Sequence, residues 1–445
     1  MKTSTKLFRL SKLAMVVGTV GLATSSQAVY NIYKKNGLSL DINGQVDIQA
    51  TKKDQQHNVL FDADGYDWYR SGTTSRTSLV DTSYNLTNTD KKPRLNQTSG
   101  VSYVEFRASQ ELPYDWRVTG NVGLGYSDSR DMYLNNSSIS FDKKNQGAIS
   151  IGRQYLHTNY VNRTGTDTPL DIFSSSALRL DYYGIKGLHT SAYYSFTGIN
   201  DVREEDNSGL KSGFGASVSY RYPFADNQSV RVAAGYSQNK ANPAYSNTTY
   251  TGLNSSGRNT VFQNYGWVEN TLNRYPEKTQ GAAVSLEYQA GPFLIAADAG
   301  RKKESMSDQR VPLDSNTTTY GTVLDNKKTD YVGAKFAYDI NPVVQISTGY
   351  GVKKTKSTLK EGAKPLFATW PANRLEGFSY VDGDELYLFD KAKSKEIYAQ
   401  IDYRIRPNVR LYTRYDREKT TYQVANTDYA ETKDANVRAG VVFSF

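Results

Sequence analysis

From Leu38 the chain alternates strictly. Leu38, Leu40, Ile42, Gly44, Val46, Ile48 and Ala50 fall on one parity; Ser39, Asp41, Asn43, Gln45, Asp47, Gln49 and Thr51 fall on the other. A period of two puts the first set on one face of a β-strand and the second on the opposite face. The alternation returns near 101–111, 116–127, 132–142, 147–153, 175–183, 187–196, 212–222, 229–238, 279–289, 292–302, 329–339, 342–354, 394–405, 408–419 and 435–445, sixteen segments in all. The apolar parity is regular, as in Phe214, Ala216, Val218 and Tyr220, or Ile397, Ala399, Ile401 and Tyr403. Arg153 is the awkward residue, expected where its strand gives way to a loop.

Any one such segment could be a half-buried soluble strand. Sixteen in succession, most near the length that crosses a bilayer (~9–11 residues), predict an all-β fold, a 16-stranded antiparallel transmembrane barrel. The apolar parity carries no lysine or acid in mid-strand. That is required of a lipid-facing surface, where a basic residue at mid-depth costs ~2–4 kcal/mol. Connections alternate between short (112–115, 143–146, 184–186, 223–228, 290–291, 340–341, 406–407) and long and polar (52–98, 155–174, 197–211, 239–278, 303–328, 355–393, 420–434), with 128–131 the exception. Proline, which cannot donate to a ladder, stands in or beside five short ones: Pro113, Pro223, Pro292, Pro342 and Pro407. Short turns on one side and long extracellular loops on the other is the outer-membrane arrangement, with both termini on the short-turn side.

Composition refines this. Tyrosine occurs 35 times and glycine 34 times. Tyr126, Tyr182, Tyr194, Tyr220, Tyr236, Tyr288, Tyr338, Tyr350, Tyr403 and Tyr415 fall on the outward parity near strand ends, where aromatic girdles meet the headgroups. Hydrophobic residues make up 38% of the chain, which argues against helical spans of ~20 apolar residues but not against a barrel whose inner face is polar. Residues 1–28 read as a signal peptide: Lys2, Lys6, Arg9 and Lys12, an apolar run from Leu13 to Ala23, and Ser26-Gln27-Ala28 before the cut. The barrel domain is then 29–445. Cleavage removes four bases and no acid from 54 bases and 45 acids, leaving about +5, which carries no nucleic-acid message.

Other chemistry finds little footing. There is no cysteine, hence no disulfide framework or thiolate site. The histidines, His57, His157 and His189, show no zinc spacing and no close partner histidine, and none has a singled-out serine or carboxylate partner. No enzyme activity, metal or cofactor is expected. The Gly120–Gly125 run mimics phosphate-loop spacing but lies inside a strand with no following helix.

The chain end, Val437, Ala439, Val441, Phe443 and Phe445, resembles the C-terminal signature that outer-membrane proteins present to the barrel assembly machinery. The stretch Val29–Gln49 (VYNIYKKNGLSLDINGQVDIQ) resembles the opening of the Gram-negative general porins, and Asn145–Tyr155 (NQGAISIGRQY) looks like their fifth strand with its Gly-Arg exit. The resemblance implies an outer-membrane homotrimer in contact with lipid and lipopolysaccharide, and a third loop folded into the barrel. This chain departs from the enterobacterial pattern in three places. Thr166–Phe173 (TDTPLDIF) replaces a Pro-Glu-Phe-Gly run, wall positions basic in those members fall at Gln45, Tyr103 and Asn135, and the 128–131 connection is too short for their latch.

A barrel of sixteen strands is wide enough for an aqueous bore, so passive diffusion of small hydrophilic solutes and ions is expected. Loop 155–174 is the candidate constriction, with Asp167 and Asp171 as its acids and Arg163 as its full positive charge. Facing it, Arg107, Arg117, Arg179, Arg414 and Arg438 lie on the inward parity as a candidate basic wall. The plainer account is that these arginines pair with lumen acids such as Asp47, Glu105, Asp181, Glu287, Asp298, Glu396 and Asp402. Two other functions stand beside diffusion. A sugar- or anion-selective channel would show an aromatic ladder, whereas the inward tyrosines Tyr103, Tyr193, Tyr331, Tyr398 and Tyr412 are scattered. A surface adhesin or receptor would act through loops 52–98, 239–278 and 355–393.

Overall fold

The computed structural model describes residues 30–59, 85–89, 94–97, 102–127, 130–196, 210–241, 250–253, 259–262, 278–305, 312–314, 317–320, 324–359, 391–424 and 427–445. Sixteen strands form the wall: β1 (Leu38–Val59), β2 (Ser102–Leu112), β3 (Trp116–Ser127), β4 (Arg130–Lys143), β5 (Gly147–Tyr155), β6 (Phe173–Tyr182), β7 (Leu188–Ser195), β8 (Leu210–Ala225), β9 (Gln228–Ala241), β10 (Lys278–Ala290), β11 (Phe293–Ser305), β12 (Leu324–Asp339), β13 (Val344–Leu359), β14 (Lys391–Arg406), β15 (Val409–Val424) and β16 (Thr427–Ser444). Each pairs antiparallel with its sequence neighbour, and β16 returns to β1, so the sheet closes and leaves no open edge across the membrane. Among the described residues no helix is long and apolar enough to span a bilayer.

The seam is sealed at the chain terminus. Gly44 and Phe445 exchange both backbone hydrogen bonds, 2.8 and 3.0 Å. A methyl group at Gly44 would lie 2.4 Å from the Phe445 ring, so only glycine lets that ring lie flat over β1. Below it a lead strand, Tyr30–Lys35, takes over the pairing with Leu38–Ile42.

The wall is apolar outside and polar inside. Ile48, Val284, Ile295, Val332 and Ile401 are exposed on the outer face, whereas Asn43, Asp47, Glu287 and Asp402 are buried on the inner one. Nine of the ten girdle tyrosines are exposed outward; Tyr338 is half-buried. Two irregularities adjust the parity. At Asn135 a bulge shifts the β3–β4 register, so Leu134 faces out before it in the chain and Ile139 and Phe141 face out after it. At Gly152, with φ +127°, the β5–β6 register slips between Gly152 and Gln154. A methyl group there would meet the Ser137 carbonyl oxygen at 2.2 Å, so the bulge requires glycine. It turns Arg153 inward, where the guanidinium lies 5.4 Å from the Phe173 ring centre, and so accounts for the charge on an apolar parity.

One connection differs from expectation. Residues 420–434, read as a long loop, continue β15 to Val424 and resume β16 at Thr427, with Thr420 opposite Thr432 and Tyr422 opposite Ala430. Beyond the membrane both faces meet water, so alternation fades while the backbone ladder persists. The expected signal segment 1–28, most of 52–98, 197–211, 239–278, 303–328 and 355–393, and positions 128–129 lie outside the described residues.

Candidate functional site

After Tyr155 the chain leaves the wall and re-enters it at Phe173. The loop between them, 156–172, lies inside the barrel against the inner faces of β7 to β14. Its neck is closed by the Leu156 amide donating to the Ile172 carbonyl at 2.8 Å, and Leu156 is buried against Ala177 and Tyr193. A single 3₁₀ turn, His157–Tyr160, follows. Its histidine Nδ1 lies 2.9 Å from Ser217 Oγ, and its ring lies 3.6 Å from that of His189, centre to centre. The fold thus gives His157 the close histidine neighbour that sequence spacing did not indicate. Burial and the adjacent His189 push His157 down to about 3; Asp181 works against them.

The middle of the loop is seated on small residues. Val161 and Leu170 bury against Ala233 and Ala283, each side chain contributing roughly 1.5–3 kcal/mol. Beyond them runs a shelf of inward-facing glycines, one on each of five consecutive strands. A methyl group at Gly235 would lie 2.8 Å from Leu170 Cδ1; at Gly281, 1.9 Å from the Pro169 carbonyl oxygen; at Gly300, 2.6 Å from Pro169 Cγ. At Gly333 it would meet Thr164 Oγ1 at 2.6 Å, and at Gly351 Thr166 Cγ2 at 3.0 Å. The backbone of the loop therefore rests almost on the backbone of the wall.

Polar anchors fix the tip. The Asp298 carboxylate accepts from the backbone amides of Arg163 and Thr164 and from Thr164 Oγ1, at 2.7–3.0 Å. Tyr398 Oη donates to the Thr164 carbonyl at 2.8 Å. Asn162 and Gly165 close the tip on itself, the Gly165 amide donating to Asn162 Oδ1. On the returning limb the Asp171 amide donates to Ser237 Oγ, and Tyr193 Oη donates to Asp171 Oδ2 at 3.3 Å. Hydrogen bonds to a charged acceptor are worth ~1.5–3 kcal/mol each, so Asp298 is the strongest single clamp.

The candidate constriction residues separate into different roles. Asp167 is exposed in the bore and pairs with Lys353 Nζ at 2.6 Å, with Glu418 3.8 Å from the same ammonium. Asp171 faces Tyr193, and burial pushes its carboxyl above the usual carboxylate range. Arg163 lies under the loop, 3.9 Å from Glu287, its guanidinium pushed down by burial. The tip connects to the facing wall through aromatic stacking: the Arg414 guanidinium lies 4.1 Å from the centre of the Tyr398 ring. Arg414 and Arg438 converge on Asp416, each at 2.5 Å. Arg107 pairs with Glu105 at 3.1 Å, Arg117 with Asp142 at 3.7 Å and Arg179 with Asp181 at 2.8 Å. Every arginine of the basic wall is thus paired with an acid, Arg414 and Arg438 sharing Asp416; Arg107 and Arg117 are the most solvated.

Sequence reading did not single out Lys353, the partner of Asp167, nor the glycine shelf. Inward parity was the available signal for the shelf, since Gly235, Gly281, Gly300, Gly333 and Gly351 all fall on it.

No protein-family model matches the chain, and no curated protein sequence does. Solved structures do. A loop L8 deletion mutant of OmpT, an outer-membrane protein of Vibrio cholerae, superimposes with a TM-score of 0.54 at 16% identity, over 92% of this chain and 100% of that one. The trimer form of in-vitro folded OmpT gives 0.52 at 15%, over the same shares. An anion-selective porin from Comamonas acidovorans gives 0.51 at 11%, again over 92% and 100%. At these identities the likeness is one of fold: the barrel is that of Gram-negative outer-membrane proteins, porins among them.

Proposed function

We propose that this chain is an outer-membrane porin, a water-filled channel through which small hydrophilic solutes and ions diffuse passively. The observation that carries the reading is the loop 156–172, held inside a sixteen-stranded bore by a shelf of glycines and a carboxylate clamp. A wall that gives up side chains over five strands to seat a loop narrows a channel without closing it. Around the opening the polar groups are salt-bridged acids and bases, which suits weak selection by size and charge rather than tight binding. Asp167 with Lys353 of β13, and Arg414, Asp416 and Arg438 of β15 and β16, stand on neighbouring wall beside the loop tip. Catalysis forms no part of this function, and no cofactor is called for.

The selective-sugar reading is weakened by the fate of the inward tyrosines. Tyr193 and Tyr398 are buried beneath the loop as anchors, and Tyr412 donates to Asp47 and Gln49, so these three are not free to form a sliding ladder. In keeping with the OmpT trimer form among its structural neighbours, we take the working unit to be a homotrimer, inserted through its Phe445-terminated last strand and embedded in outer-membrane lipid and lipopolysaccharide. The adhesin reading rests on loops outside the described residues and gains no support from the barrel itself.

The test is single-channel conductance of the refolded protein in a planar bilayer. Large ohmic steps in groups of three, unsaturated by sugars, are expected. Absence of conductance from correctly folded barrels would overturn the channel reading.

A further inference from the structure

The hairpin that opens the barrel also closes a hollow in its inner wall. Asn36 and Gly37, at φ +52° and +77°, form the two-residue turn that an Asn-Gly pair favours, and it folds the lead strand back along β1. Asn31 and Lys34 thereby join the inner face at the short-turn end, beside β1 to β4. Four small hydroxyl residues, Ser39, Ser109, Thr119 and Ser140, stand side by side there on one inward rung. Longer polar side chains fill the rungs on either side: Asp41, Arg107 and Asn121 above; Glu111, Arg117 and Asp142 below, nearer the turns. A row of short side chains between two rows of long ones leaves a hollow of about 410 Å³, toward the lower end of the ~300–1,000 Å³ of small-molecule sites. None of its lining residues belongs to the loop 156–172.

The upper rung is satisfied from within. Arg107 donates to Asn121 at 3.0 Å and to Glu105 at 3.1 Å, and Asp41 accepts from Asn31 at 2.6 Å. The lower rung is not. Arg117 stands between Glu111 and Asp142, yet its one ion pair among the described residues is to Asp142 at 3.7 Å, too long for a hydrogen bond, and its side chain is 53% exposed. Asp142 also accepts from Tyr183. Glu111 makes no ion pair among the described residues. Charges of both signs are thus held open to water on adjacent strands, about 5 Å apart. The lining as a whole carries three bases, Lys34, Arg107 and Arg117, and three acids, Asp41, Glu111 and Asp142. A simple anion on Arg117 would meet Glu111 and Asp142 as well, and a simple cation on Glu111 would meet Arg117. A solute carrying both charges a short distance apart meets neither repulsion.

We infer that this hollow is a binding site for a zwitterionic solute of amino-acid size. The carboxylate of the solute lies on the Arg117 guanidinium, whose planar fork suits two oxygens. Its ammonium lies on Glu111, and its side chain lies over the hydroxyl floor, which pairs with polar groups and offers nothing to apolar ones. Water screens both ion pairs, so binding is weak and release is fast, as a resting place along a diffusion path requires. Arrival of the solute rests on the channel reading; occupancy of the hollow does not. Conductance and binding can therefore fail separately.

The test is a saturation-transfer NMR titration of the full refolded barrel in detergent micelles. The probes are L-serine and the two molecules that each lack one of its charges, 3-hydroxypropanoate and ethanolamine. The variants are Arg117→Gln and Glu111→Gln, made separately; the control is Arg221→Gln on β8, five strands away. Heat-modifiable gel migration checks that each barrel has folded. Saturable binding of L-serine to the unmodified barrel and to the control is expected, with a loss of about fivefold in affinity in each variant. The two single-charge molecules are expected to bind the unmodified barrel as weakly as L-serine binds the variants. Undiminished L-serine binding in both folded variants, or an equal loss in the control, would overturn the proposal. So would 3-hydroxypropanoate binding as tightly as L-serine, which would mark a site for simple anions. Conductance of the same preparations separates the two readings: a conducting barrel without saturable L-serine binding sinks this site and leaves the channel standing.

Discussion

Tyr398 on β14 donates a 2.8 Å hydrogen bond to the backbone carbonyl of Thr164 at the loop tip, a contact between positions 234 residues apart. The same phenol ring carries the Arg414 guanidinium on its face. One side chain therefore holds the loop and positions the first residue of the facing wall. Tyr398→Phe keeps the ring and removes the donor, leaving the carbonyl without this partner at a cost of about 1–2 kcal/mol in docking. Asp298→Ala removes the acceptor of three donors and should cost more, about 3 kcal/mol or above. Open-channel noise in single-channel records should rise in that order, with Tyr398→Phe little changed in mean conductance. Equal, quiet records from both variants would mean that the tip is held elsewhere.

The shelf makes a steric prediction. Valine at Gly281 would overlap the Pro169 carbonyl, a backbone atom that cannot rotate away, so the returning limb must lift from β10. Gly120 faces open space, with nothing within 4 Å of an added methyl group, and Gly120→Ala should be near neutral. The expected readout is a changed conductance and new protease cleavage within 156–172 for Gly281→Val, and neither for Gly120→Ala.

These contrasts mark what was legible in the sequence. All sixteen strands could be read because lipid imposes one rule on every outward side chain, and that rule acts residue by residue along the chain. Arg153 was visible as an exception; its cause, the bulge at Gly152, depends on a backbone conformation that parity cannot express. Loop anchors obey no local rule. Asp298 serves amides 135 and 134 positions away, and His157 meets His189 only because β7 passes behind the neck. Arg163 was readable as a charge, but its burial under the loop depends on the loop path. The upper hairpin of β15 and β16 was missed for the opposite reason, that outside the membrane neither face has to be apolar.

Acid should loosen the neck. His157 has an ordinary pKa of 6.5, brought to about 3 by burial and by His189, with Arg179 and Arg163 adding to the effect and Asp181 opposing it. Above pH 6.5 the imidazole is neutral whether the loop is docked or released, and docking is at full strength. As pH falls below 6.5 the released loop takes up a proton that the docked loop refuses. Docking weakens by about 1.4 kcal/mol per pH unit, about 2 kcal/mol at pH 5, and levels off below about 3. Channel noise or protease sensitivity of the loop, followed from pH 7 to pH 4, should rise along this curve and flatten in His157→Gln. An unchanged pH response in that variant would move the titration to another group.

Charge selectivity separates the two loop acids. Asp167 is exposed to the bore and neutralises Lys353, whose ammonium also reaches Glu418 at 3.8 Å. Asp167→Asn removes one negative charge at the opening and leaves Lys353 with a longer, weaker ion pair, so the local field turns positive. Asp171 instead accepts from Tyr193 against the wall, and burial pushes its carboxyl above the usual carboxylate range. Held against Tyr193 on the wall, it stands back from the path of an ion, so Asp171→Asn alters the field there little. Reversal potentials under a tenfold salt gradient should shift toward anions by several millivolts in Asp167→Asn and stay at the unmodified value in Asp171→Asn. At higher ionic strength the Asp167→Asn shift should shrink, because charges in a water-filled bore are screened over about 10 Å at 0.1 M and about 3 Å at 1 M. A larger shift in Asp171→Asn than in Asp167→Asn would place the narrow point on the returning limb and not at the tip.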